Sequence, residues 1–256
     1  MTAPLTDAQR TQFQRDGYVV LRGLFSRDDL AAADRETHAL LDREDLKDRN
    51  NLRVRWQYHY ETGDPVFELF DPVVDLSPGV RALADDARLR AVIEDLLGDR
   101  VHLFKDKLIY KPAGAGGYPL HQDFIAWPGF PESFTTAVIA IDGATEENGR
   151  IEVFPGTHAK GCLAERDGNF HILDDEVLGG VAPVALDLAP GDVAIYGAFM
   201  PHRSEINRTD ASRRHLLISY NADGDGGAQR DAHYEAFHQY LRMMYGMMGM
   251  GDLFFR

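Results

Sequence analysis

The chain has 256 residues, 44% of them hydrophobic, enough to bury a sizeable core in one enlarged domain. Its formal net charge of −14 opposes a nucleic-acid partner and offers no general basic surface to a polyphosphate carrier. The single cysteine, Cys162, excludes an internal disulfide; no leader or long apolar run is visible, so a cytoplasmic protein without a membrane partner is expected.

Thr6 reads as the N-cap of a helix ending at Asp16-Gly17, followed by a strand over 18–21. A second helix is predicted over 26–45, capped by Ser26, with Leu30, Ala33, Leu40 and Leu41 near one face, and another over 88–97, stopped by Gly98. Between them, Arg53, Arg55, Trp56, Tyr58 and His59 form an aromatic and basic cluster with a poor helical pattern, read as a loop over the mouth of the domain. From Val101 onward short strands alternate with turn residues: 101–110, 121–125, 135–141, 151–154, 183–188, 193–196 and 213–220. That succession predicts a mainly β protein with flanking α-helices, and the cupin-like double-stranded β-helix (jelly roll) is the version that hosts metal sites. One domain over 1–256 is expected, with a mostly helical covering segment (1–100), a jelly-roll core (101–220) and a C-terminal helix and tail (221–256). The helix is predicted over 232–244, and the Met-rich stretch beyond it reads as flexible.

His121-Gln122-Asp123 is answered by His202 and then by Arg213. Residues i and i+2 of a strand share a face, and two imidazoles with one carboxylate make the facial triad of non-haem iron(II) oxygenases. Such a triad leaves three positions open, two for a chelating cosubstrate and one for O2. A guanidinium nearby can grip a carboxylate bidentately. The turn-rich stretch 111–119 precedes His121, and the Pro190-Gly191 turn leads through a short apolar strand to His202, so both histidines are expected at strand ends.

With these motifs the chain resembles the phytanoyl-CoA dioxygenase family of Fe(II)- and 2-oxoglutarate-dependent oxygenases. The likeness runs from Phe13 to Tyr220. It is carried by Lys111-Pro112 before His121-Gln122-Asp123, by Glu147-Asn148-Gly149 with Phe154-Pro155-Gly156-Thr157-His158, and by the spacing from His202 through Ser204, Asn207 and Thr209 to Arg213. The resemblance implies that His121, Asp123 and His202 ligate Fe(II) and that Arg213 holds the C5 carboxylate of 2-oxoglutarate. It also implies O2-dependent hydroxylation or oxidative cyclisation of a small polar metabolite or natural-product intermediate, with release of succinate and CO2. Related halogenases carry a small residue at the position of Asp123, so the intact Asp argues for oxygen chemistry. A cupin-type metalloenzyme that does not use 2-oxoglutarate, and a non-catalytic binding member of the fold, stay open as alternatives.

Along 101–111 the odd positions place Lys105 and Lys107 on one face. If that face looks inward, Lys105 is expected on the substrate side of the metal and Lys107 nearer 2-oxoglutarate, because confined cations need anionic partners; a solvated edge strand is the alternative. Phe124, Trp127 and Arg55 are further candidates for the substrate pocket. Gln122 and His158 read as structural, and His215 shares the face of Arg213. His233 and His238 are spaced wrongly to chelate together from a helix. A small-molecule substrate and a monomer or homodimer are expected.

Overall fold

The first helix, α1 (Asp7–Asp16), is set by a reciprocal cap: the Thr6 hydroxyl accepts from the Gln9 amide while the Gln9 side chain accepts from the Thr6 backbone. It ends at Gly17 (φ 81°), where a Cβ would lie 2.4 Å from the His158 ring. After β1 (Tyr18–Leu21), α2 (Arg27–Ala39) starts at the expected Ser26 cap but stops short, continuing only as a 3-10 turn at Leu40–Asp42. These observations come from a computed structural model that describes residues 5–124, 129–165 and 171–256.

The stretch read as a loop is a hairpin of two strands, β2 (Val54–Tyr58) and β3 (Pro65–Phe70). Val54, Trp56, Phe67 and Phe70 pack on the main core, whereas Arg55 falls on the opposite face of β2. The period of two was there, masked by the charged, polar and aromatic residues interleaved in the segment. The first hundred residues are therefore not simply a helical cover, since β1, β2 and β3 all join the larger sheet. Two helices follow, α3 (Pro78–Ala84), with Pro78 in its first turn, and α4 (Ala87–Leu97), closed by Gly98.

The remaining strands are β4 (Val101–Ile109), β5 (Tyr118–His121), β6 (Thr135–Ala140), β7 (Ile151–Val153), β8 (Val184–Leu186), β9 (Val193–Gly197), β10 (His202–Ser204) and β11 (His215–Ala222). Together with β1, β2 and β3 they form, among the described residues, a seven-stranded sheet, β1-β9-β6-β11-β4-β3-β2, and a four-stranded sheet, β5-β10-β7-β8. All ladders are antiparallel, as a double-stranded β-helix requires. Val138, Ala194 and Leu217 of the larger sheet meet Ile151, Val153 and Leu186 of the smaller. Ile139, Ile195, Leu216 and Ile218, one step out of phase, face Leu30, Val80, Leu89 and Ile93 of the helices.

The ladder of β4 with β11 slips between Lys105, opposite Ser219, and Leu103, opposite Tyr220. Phe104 is the extra residue of this bulge, so the alternation resets there. Val101 and Leu103 pack with the outer core, and only from Lys105 do odd positions turn inward. Asp106, on the other face, accepts from the Val73 and Val74 amides and pairs with Arg230 at 2.7 Å. That arginine opens α5 (Arg230–Met247), whose Tyr234, Phe237 and Leu241 pack with Leu52. The helix runs further than expected at both ends, taking in Met247 from the stretch read as flexible. Among the described residues, no helix is long and apolar enough to cross a membrane.

Candidate metal centre

His121 and His202 face each other across the β5–β10 ladder, with ring centroids 4.2 Å apart. His121 closes its strand instead of opening one over 121–125, and Asp123 lies in the turn that follows. Chain reversal, not strand alternation, carries the carboxylate back to the imidazoles. The turn is pinned by Gln122, whose amide donates to the carbonyls of Gly161 (2.9 Å) and Phe199 (2.6 Å) and accepts from the Leu163 amide (2.8 Å). His121 Nε2 is 3.8 Å and His202 Nε2 4.0 Å from the Asp123 carboxylate, and one candidate ligand atom of each of the three lies within 4.8 Å of the others.

The imidazoles are oriented from behind. His121 Nδ1 lies 2.8 Å from the Pro119 carbonyl and His202 Nδ1 3.0 Å from that of Met200, so each Nδ1–H donates and each Nε2 lone pair points toward Asp123. Burial, reinforced by His202, lowers the His121 pKa to about 3. Burial raises the Asp123 pKa, but Lys107 and the two imidazoles outweigh it and hold the carboxyl below its ordinary range. Two imidazoles and a carboxylate are a donor set suited to Fe(II).

Beside the trio a cavity encloses about 570 Å³ of empty space, counting its open mouth. At one end Arg213 Nη2 donates to the Gly149 carbonyl (2.9 Å) and Nη1 to His215 Nδ1 (2.6 Å), and burial lowers the pKa of this guanidinium to about 10. Lys111 Nζ donates to Ser204 Oγ at 2.9 Å; burial, with Arg213 close by, lowers its pKa to about 7. Among the described residues neither cation has a carboxylate within salt-bridge reach, and Lys107, on the same wall, has none either. Tyr196 Oη and His215 Nε2 are buried without partners among the described residues. Since His215 Nδ1 accepts from Arg213, its Nε2 carries the proton. Every spare polar group named here is thus a donor, which suits a ligand rich in anionic oxygens.

Arg214 points elsewhere and is consumed by Asp142 (2.8 Å) and Asp34 (2.6 Å). Lys105 shares the inward face with Lys107 but is not a free cation: Asp71 holds it at 2.8 Å, the Phe237 ring lies 4.2 Å away, and burial lowers its pKa to about 8. Phe124 is buried against Phe199, their rings 4.7 Å apart, in a cluster with Phe104, Phe130 and Phe134. Trp127 lies outside the described residues. Arg55 sits on β2 with its guanidinium 5.2 Å from the Phe237 ring. Among the described residues His158 takes no part in the metal-type cluster, and its Nδ1 is buried without a partner. Lys111 was read from the sequence only as part of a motif and given no site role, and Tyr196 and the buried Glu68, which accepts from the Tyr118 hydroxyl, were not singled out. Extending the inward alternation to Lys111 and along β9 to Tyr196 would have found two of them.

Residues 13–215 match the family described as Phytanoyl-CoA dioxygenase (PhyH). The chain belongs to this family. It is 27% identical over 232 residues to a 2-aminoethylphosphonate dioxygenase from an uncultured bacterium, covering 88% of this chain and 85% of that protein. It is 29% identical to the methylphosphonate hydroxylase of Gimesia maris, covering 90% of this chain and 86% of that protein. Among solved structures, EctD from S. alaskensis with 2-oxoglutarate and 5-hydroxyectoine superposes with a TM-score of 0.72 at 26% identity, over 88% of this chain and 78% of that one. This PhyH member is accordingly an Fe(II)- and 2-oxoglutarate-dependent dioxygenase, an oxidoreductase acting on a small molecule.

Proposed function

We propose that His121, Asp123 and His202 hold Fe(II), that Arg213 and Lys111 receive the distal carboxylate of 2-oxoglutarate, and that Lys107 faces the cosubstrate's metal end. The observation that carries this reading is the pairing of an imidazole–imidazole–carboxylate trio with a cavity whose spare polar groups are all donors. When bound, Fe(II) couples oxidative decarboxylation of 2-oxoglutarate to insertion of oxygen into a substrate C–H bond. The chain's own part is to bind and orient. The Arg213 fork fixes the direction of the cosubstrate, and Tyr196 Oη and His215 Nε2 supply further donors along it.

Phe124, with the buried rings of Phe104, Phe130 and Phe134, forms a dry wall beside Asp123. Trp127 stays a substrate-pocket candidate from the sequence alone. Lys105 acts through Asp71, which also accepts from the Tyr234 hydroxyl at 2.9 Å, so the pair positions α5 instead of touching substrate. The substrate is a small polar metabolite or natural-product intermediate with an acidic or polyhydroxylated group. Relatives named for phosphonates and for ectoine support that range. One domain, working as a monomer or homodimer, suffices for the site.

Fe(II)-loaded protein without added substrate should convert 2-oxoglutarate slowly to succinate. Oxygen uptake equally fast without 2-oxoglutarate would favour the cupin-type alternative. Lys107→Met is expected to raise the 2-oxoglutarate concentration needed for half-maximal succinate formation by about tenfold, the loss of one charge-assisted contact.

The Lys111 ammonium gives this reading a pH dependence. Its pKa in the free protein is about 7, and a dianionic ligand favours the charged form. Binding therefore takes up a proton, so affinity is full below that pH and falls as pH rises through it. Calorimetric titration should show 2-oxoglutarate binding weakening by up to about tenfold per pH unit above neutrality, with the slope flattened in Lys111→Met.

A further inference from the structure

Arg55 is held in a way that a surface arginine is not. Its Nη1 donates to the carbonyls of Leu52 (3.0 Å) and Val54 (2.6 Å), and Phe237 of α5 packs against the guanidinium at 5.2 Å. Its Nη2 is shielded from solvent and has no acceptor among the described residues. A buried donor left unpaired is costly, and more so when charged. Arg55 lies opposite Leu69 on β3, and Leu69 lies opposite Ile109, which lines the cavity, so Arg55 is on the cavity face of the larger sheet.

The carboxylates nearby are engaged by other groups. Asp71 is taken by Lys105 and Tyr234, and Glu68 by the Tyr118 hydroxyl. Arg55, Lys105, Lys107, Lys111 and Arg213 stand against Glu68, Asp71 and Asp123, five cations to three carboxylates, a surplus of two positive charges. Fe(II) and the 2-oxoglutarate dianion cancel each other, so the surplus persists in the loaded site. Burial also raises the Glu68 pKa, which works against any reduction of that surplus.

We propose that Arg55 is the substrate's anion anchor, and that the substrate presents to it a compact, doubly charged oxyanion, with Lys107 on the same sheet face balancing the second charge. This inference rests on the oxygenase reading for its charge count and narrows the acidic or polyhydroxylated range to dianions. The two carbonyls and Phe237 hold the guanidinium before the ligand arrives, so little side-chain freedom is lost on binding. Phosphonates and dicarboxylates share this chemistry and differ in shape.

The test uses protein loaded with Fe(II) and saturated with 2-oxoglutarate under anaerobic conditions. Ethylphosphonate, its monomethyl ester and malonate are titrated by calorimetry. The dianion is expected to bind at least about tenfold more tightly than the monoester, a difference of about 1.4 kcal/mol. Arg55→Met should abolish that preference. Arg55→Lys should keep the preference for a dianion but bind it more weakly, because the ammonium lacks the planar fork, and this variant carries the test if Arg55→Met does not fold. Binding of ethylphosphonate but not malonate selects a tetrahedral head group, and the reverse selects a dicarboxylate; either supports the inference. Equal binding of the dianion and monoester, binding of neither phosphonate nor malonate, or a preference untouched in Arg55→Met would overturn it. Adding 2-oxoglutarate to the anaerobic Fe(II) protein should separately produce a visible absorption band. Absence of that band with dianion selectivity intact would count against the oxygenase reading and not against Arg55.

Discussion

Asp123→Ala is expected to reduce succinate formation by more than about a hundredfold, since disturbing even the outer partners of metal ligands typically costs 10–100-fold. The carboxylate is the only anionic member of the trio and, among the described residues, the acidic group in ion-pair reach of both imidazole Nε2 atoms. Its removal takes away both a donor atom and the charge that offsets the metal's. Iron content after anaerobic loading and desalting should fall in parallel, and the same is expected of His121→Ala and His202→Ala. Retention of bound iron and full turnover in any one of the three would transfer that ligand's role to another residue.

Arg213→Lys should weaken 2-oxoglutarate by one to two powers of ten, about 1.4 kcal/mol for each, while keeping the positive charge. The guanidinium is bound at Gly149 and His215 in a fixed orientation, and an ammonium cannot hold both contacts and present a two-donor face. A direct calorimetric measurement is preferable to turnover because it isolates cosubstrate binding. Unchanged affinity would leave Lys111 or Lys107 as the main anion contact. Arg214 is a poor substitute, being committed to Asp34 and Asp142 on the far side of the strand entry.

Much of the centre was legible because its chemistry is carried by residue type and spacing. The two histidines and the aspartate are recognisable wherever the chain folds them, and Arg213 was separable from Arg214 by its distance from His202. The covering helices were legible from local rules too, since the caps at Thr6, Ser26, Gly17 and Gly98 are built by residues next to them in sequence. The hairpin over 54–70 was missed for the converse reason. Its core-packing residues Val54 and Trp56 are apolar at alternate positions, but those between and after them, Arg55 and Gln57, lie on the other face of the sheet, and no local pattern reveals what they meet there.

From residues alone came the metal-type trio, the arginine proposed to grip an anion, the β-rich core and its helical cover, each read from side-chain chemistry, motif spacing or short-range periodicity. The tertiary structure decided which cations are free. Lys105 and Lys107 are equivalent in the strand pattern, yet Asp71, thirty-four residues before Lys105, neutralises one and leaves the other facing the cavity. It also decided where the inward face begins, because the bulge at Phe104 depends on how β11 pairs with β4. His121 meets His202 only through the β5–β10 ladder. Pairings over such separations are selected by the packing of the whole chain, and a local pattern carries no record of them.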